Sequence, residues 1–182
     1  MNSEKIDKLV EQSKQHDTVA FRQLVESHQL LVFRLAFRLL CSNEEAKDIV
    51  QETFIRVWLH LHKYKNSVRF STWLYRIACN LCYDRLRAMK RLPVDAETSI
   101  DRSKMLVADD YDIEQSVINQ DLKEWITVLT LDLSPKQRLV FTLKDLEGLE
   151  LEEVEKITGM SRAKIKSNLY LARQYIRERI RN

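Results

Sequence analysis

Three groups of side chains in this 182-residue sequence have types and spacings suited to chemistry, and the chemistry is recognition rather than bond making. In the first, Asp48, Gln51, Glu52 and Ile55 recur three and four residues apart, so a helix would carry two carboxylates and an amide beside an apolar side chain. Such a face can dock on a basic helical partner through charge-assisted hydrogen bonds, or it can be an ordinary solvated face. In the second group, cations alternate with rings from Lys63 to Trp73, including Tyr64, Lys65, Arg69 and Phe70. Rings that stack on unpaired bases and cations that track phosphates hold single-stranded nucleic acid in this way. Phe70 and Trp73 read as core anchors, which leaves Tyr64 as the loop ring expected to meet a base. Arg76, Asn80, Tyr83 and Arg87 continue one polar face beyond it.

The third group lies at the end of the chain, where Arg162, Lys164, Lys166, Arg173, Arg177, Arg179 and Arg181 are interleaved with Ser167, Asn168 and Tyr170. Gly159 precedes it where a left-handed turn residue is wanted, and Ser161 can cap the helix that follows. This is the outline of a helix-turn-helix, whose second helix enters the major groove by its start, so base edges would be read between Arg162 and Tyr170. The acidic run from Glu147 to Glu155 before it reads as solvated.

Catalytic and metal signatures are missing. Cys79 and Cys82 form a C-x-x-C with His60 and His62 upstream, but without the second knuckle that makes a zinc signature specific. Neither a glycine-rich phosphate loop, a His-Glu-x-x-His nor a nucleophile elbow occurs. No cofactor, metal site or enzymatic activity is expected.

The elements that must position these groups are helices. Only 2 Gly and 2 Pro are present, too few to punctuate a many-stranded sheet, and 45% hydrophobic content suffices for a core. Apolar spacing predicts a short helix from Glu4 to Gln15 and a long one from Thr18 to Leu40. A third follows, capped by Ser42 with Glu45 three residues on and buried along Ala46, Val50, Phe54, Val57, Trp58 and Leu61. A fourth runs from Phe70 to Lys90 with Phe70, Leu74, Ile77, Leu81 and Ala88 inward, and Pro93 ends it. Helical pattern resumes near Ile113 and continues through Leu129. Ser134-Pro135-Lys136-Gln137 then opens a helix to about Glu147, followed by short and long helices over 151–157 and 161–181.

Charge divides the chain along the same lines. Residues 21–92 hold 13 Lys/Arg against 6 Asp/Glu, residues 93–124 hold 3 against 9, and residues 160–182 hold 7 against 1. The expected fold is all-α: two small helical domains over 1–92 and 113–182, the second a four-helix helix-turn-helix domain, joined by an acidic linker over 93–112. Two basic blocks on separate modules suit a polyanion contacted in two places. Three cysteines, no apolar signal core after Met1 and no apolar run of roughly 20 residues predict a cytoplasmic protein.

Taken together, these residues resemble the extracytoplasmic-function sigma factors, small sigma subunits of bacterial RNA polymerase. The resemblance spans about residues 18–91 and 123–181. Asp48 to Phe54 is similar to the family's core-binding motif, Phe70 to Asn80 to its promoter-melting segment, and Leu133 to Arg138 with Gly159 to Ser167 to its second DNA-binding domain. Lys47, Glu155, Asn168 and Leu171 depart from the usual residues.

The resemblance implies that Asp48, Gln51, Glu52 and Ile55 dock on the clamp helices of the polymerase largest subunit. Tyr64, Lys65, Asn66, Phe70, Ser71, Arg76 and Asn80 would surround the melted minus-ten element, with one base flipped into a loop pocket. Arg162, Lys164, Lys166, Ser167, Tyr170 and Arg173 would read the minus-thirty-five element. An anti-sigma protein, often membrane-anchored, would be a further partner. The competing readings are a stand-alone helix-turn-helix regulator, which leaves Asp48 to Asn80 unexplained, and a sigma-like adaptor without initiation activity.

Overall fold

A computed structural model describes residues 3–91 and 129–181. Its elements are α1 (Ser3–Lys14), α2 (Thr18–Leu40), α3 (Asn43–His60), a 3₁₀ turn (Leu61–Lys63), α4 (Phe70–Arg91), α5 (Pro135–Phe141), α6 (Leu151–Thr158) and α7 (Arg162–Arg181). Among the described residues there is no strand. The acidic linker and most of the helix expected from Ile113 to Leu129 lie outside them.

Local chemistry accounts for the ends of these helices. Asp17 accepts hydrogen bonds from the Val19 and Ala20 amides at 2.9 and 3.0 Å and so starts α2, a cap the spacing argument did not anticipate. Ser42 accepts from the Glu45 amide at 3.3 Å, while the Glu45 carboxylate faces Arg85 Nε of α4 at 2.9 Å. At α5 the capping box is complete: Ser134 Oγ accepts from the Gln137 amide, and the Gln137 side chain accepts from the Ser134 amide. Gly159 ends α6 with φ 68°, the left-handed value anticipated for it.

Helices α1 to α4 pack together as an N-terminal unit, in which Leu24, Leu35, Leu39, Ile49 and Leu74 are fully enclosed. The inward stripe of α3 is Ala46, Ile49, Thr53, Phe54 and Val57, whereas Val50 and Trp58 are only half-buried. The expected stripe was therefore rotated slightly too far toward them. On α4 the expected inward residue Ala88 is exposed, and Tyr75, Cys79 and Cys82 form a second buried face. The physical reason is that α6 and α5 lie against α4, so this helix is covered from two sides. One apolar core consequently runs from Leu9 and Val10 in α1 to Ile165 and Leu169 in α7, with a smaller cluster of Leu133, Ala172 and Ile176 beyond it.

The seam between the two units carries polar bonds as well. Arg138 of α5, only 5% exposed, donates through Nε to the Thr130 carbonyl and through Nη1 to the Leu39 carbonyl, both at 2.9 Å. It thereby satisfies a carbonyl at the C-terminal end of α2, a role that local capping residues usually fill. Beyond α5 the chain widens into a π turn, Thr142–Leu146, in which the Glu147 amide donates to the Thr142 carbonyl five residues back. Glu147 at its end pairs with Arg38 of α2 and accepts from the Tyr75 hydroxyl of α4 at 2.8 Å. A plain α-helix was expected as far as Glu147; the extra residue in the turn is where the local rule gives way to the seam.

Candidate polymerase-docking and nucleic-acid interface

The first surface is the outer face of α3. Asp48, Gln51 and Ile55 are exposed, and Glu52 is partly covered through its ion pair with Arg56, 2.6 Å away and one turn on. Ile55 is 60% exposed and Leu59, one turn further, 59%, so the carboxylates and amide continue into an apolar strip. Leu59 was not singled out by the sequence argument, although its i+4 spacing from Ile55 carried the signal. Capping at Ser42 and the buried stripe behind fix this face as a rigid rod.

The second surface is built by the loop between the 3₁₀ turn and α4. Lys65, Asn66, Arg76 and Asn80 are exposed, and Ser71 is half-buried at the start of α4. Here the structure corrects one expectation. Tyr64 is not a loose loop ring: like Phe70 it is 3% exposed. Its hydroxyl donates to the Val68 carbonyl at 2.8 Å, its ring meets Phe70 edge-on and Trp73 at 5.2 Å, and Lys14 Nζ lies 5.7 Å from its centroid. Burial pushes the Tyr64 phenol up, with the nearby Asp7 carboxylate adding to it. Aromatic packing of this kind outweighs loop position, because burying a ring stabilises far more than leaving it free.

What the rings build instead is a wall. A pocket of about 500 Å³ opens beside them, lined by Tyr64, Asn66, Phe70 and Ser71 and, from α1, by Ile6 and Asp7. Helix α1 had been read only as a short helix. A smaller pocket of about 260 Å³ lies where Arg69 and Thr72 face Glu153 and Lys156 of α6.

The third surface belongs to α7, which buries Ile165, Leu169, Ala172 and Ile176 and exposes Lys164, Lys166, Ser167 and Tyr170, the last at 67%. Two of the expected contact residues are tied to carboxylates. Arg162 bonds Glu155 at 2.7 Å and Glu152 at 3.2 Å, and Arg173 forms a fork with both oxygens of Asp145 at 2.6 and 2.8 Å. Those hydrogen bonds push both guanidinium groups up. The acidic run before α7 is thus partly engaged rather than simply solvated. Cys79 and Cys82 are buried, burial raises both thiols, and no group of three or more His, Cys, Asp or Glu among the described residues is placed to hold a metal.

Comparison with known proteins decides what carries these three surfaces. Residues 24–92 match Sigma-70 region 2, and residues 123–176 match Sigma-70, region 4. The chain is 33% identical over 184 residues to the ECF RNA polymerase sigma factor SigW of Bacillus subtilis (strain 168), covering 97% of each chain. It is an extracytoplasmic-function sigma factor. A second relative, the ECF RNA polymerase sigma-E factor of Escherichia coli (strain K12), is 32% identical over 178 residues, covering 94% of this chain and 92% of the other. Among solved structures, CnrH in complex with the cytosolic domain of CnrY superposes with a TM-score of 0.67 at 20% identity, covering 98% of this sigma factor and 97% of that chain. That likeness supports the fold: two helical units of the sigma type. As an alternative sigma factor the protein directs RNA polymerase to promoters, and readings without initiation have nothing in their favour.

Proposed function

We propose that residues 1–92 dock on core RNA polymerase and melt the minus-ten element, that residues 113–182 read the minus-thirty-five element, and that residues 93–112 link the two. Asp48, Gln51, Glu52 and Ile55 bind the polymerase clamp helices. The exposed polar-to-apolar strip on α3 supports this, since helix docking needs rigid anchors beside charge-assisted bonds. Lys65, Asn66, Ser71, Arg76 and Asn80 hold the melted strand, while Tyr64 and Phe70 act as the pocket wall for one unstacked base. Lys164, Lys166, Ser167 and Tyr170 meet the upstream duplex first, and Arg162 and Arg173 join by exchanging carboxylates for phosphates.

The observation that carries this reading is the placing of the α3 face and the loop pocket on one unit, with the groove-reading helix on the other. The protein works by binding alone, in the cytoplasm, without a cofactor. An anti-sigma factor is its further partner and can hold it at the membrane; CnrH, with the same fold, is solved bound to the cytosolic domain of CnrY. Among the described residues no helix is long and apolar enough to cross a membrane.

The test is transcription from a mixed promoter library by bacterial core polymerase with and without this protein, sequencing the transcript starts. Specific starts sharing two upstream elements, lost in Asn80→Ala and Lys166→Ala, are the expected result. Tight polymerase binding without any start would overturn it in favour of an adaptor.

A further inference from the structure

The loop pocket has one wall that does not come from the loop. Asp7, on α1, lines it along with Ile6 and with the Tyr64 and Phe70 rings. Helix α1 is firmly seated: Leu9 and Val10 are 5% and 0% exposed, so the carboxylate is presented from a fixed backbone. Among the described residues Asp7 has no hydrogen-bond or ion-pair partner, although it is half-buried. It is close enough to Tyr64 to add to the upward shift of the phenol.

A carboxylate in such a place cannot serve the phosphates of a nucleic acid, which it repels. It is an acceptor only, and a base edge that offers it a donor turns that repulsion into a charge-assisted hydrogen bond. We propose that Asp7 selects the unstacked base by accepting from an exocyclic amino group, so that the pocket takes cytosine, adenine or guanine and rejects thymine. Thymine offers only a ring N–H flanked by two carbonyl oxygens, both of which face the carboxylate with like partial charge. Asn66, with a donor and an acceptor, completes the contact without discriminating, and Arg69, which lines the same pocket, and the exposed Lys65 hold the adjoining phosphates. This inference rests on the proposal that the loop holds a base of the melted strand.

The experiment uses the full chain assembled with core polymerase and a random single-stranded DNA pool, sequenced after retention, followed by oligonucleotides carrying each base or an abasic site at the selected position. Wild type should retain amino-bearing bases there about tenfold over thymine. Asp7→Asn keeps the shape but adds a donor, so thymine binding should rise several-fold and discrimination shrink to about twofold or less, with other positions unchanged. A structural role would weaken all strands together and would not improve any. Thymine favoured by wild type, or discrimination intact in both Asp7→Asn and Asp7→Ala, overturns the role of Asp7 while leaving the base pocket standing. Abasic strands bound as well as intact ones at every position would instead overturn the base pocket itself.

Discussion

Single side chains in this protein do their work by what they are already bonded to. On α3, Asp48 and Gln51 project into solvent from a helix whose other side is packed, so Asp48→Ala with Gln51→Ala should lower affinity for core polymerase at least tenfold, measured by competition, while circular dichroism stays unchanged. On α7, Lys166 is exposed and Arg173 is held by a two-oxygen fork from Asp145. Lys166→Ala should therefore weaken upstream-duplex binding and reduce the slope of log affinity against log salt by about 1. Asp145→Ala should act oppositely, releasing Arg173 to phosphate and raising affinity by two- to fivefold, the scale of an exposed ion pair. The exposure of the residues proposed to dock and to read the groove was legible in the sequence, because an exposed helical face obeys periodicity alone. Tyr64 was misjudged because its place in the core depends on α1 and α4, which periodicity cannot bring together.

At the level of the element, α4 shows how tertiary context decides. Its first turn is pinned by Phe70, whose ring stands edge-on to buried His28 at 5.2 Å, and His28 in turn has Nδ1 2.9 Å from the Leu24 carbonyl and 2.8 Å from Ser27 Oγ. Burial pulls the His28 pKa below its ordinary 6.5, so the folded protein resists protonating it. A lowered value means that the unfolded chain binds the extra proton first. The associated stability is present above about pH 6.5 and is lost as pH falls through that value toward the folded pKa. Urea midpoints should fall between pH 7.5 and 5.5, and His28→Gln should flatten that dependence. The second buried face of α4 was not legible in the sequence for the same reason: Tyr75 bonds Glu147 and Cys79 lies within its field, more than sixty residues away in the chain. The Ser42 and Ser134 caps and the Gly159 turn, being local, could be read directly.

For the whole molecule, the seam joins two units that sequence alone presents as separate modules. It combines a continuous apolar core with an arginine buried among backbone carbonyls, and burial pulls the Arg138 pKa down. A buried guanidinium without a carboxylate bonded to it recovers little of its lost hydration, so the seam gains fit from Arg138 more than net stability. Arg138→Ala leaves the Leu39 carbonyl without that donor and should cost about 1–3 kcal/mol. Its urea unfolding should separate into two transitions, against the single one expected of the wild type from its continuous core.

Cys41 and Cys79 flank this seam, the first with its sulfur 4.0 Å from Arg138 Nη1 and the second within the field of Glu147, while Cys82 of α4 lies within the field of Glu45 of α3; all three are free and buried. Thiolates react and buried thiols do not, so a chromogenic disulfide reagent can modify these sulfurs only during an opening that reaches them. The native chain therefore carries its own clock: two sulfurs that time the parting of the units and a third that times the unfolding of the first unit, read without any engineered label.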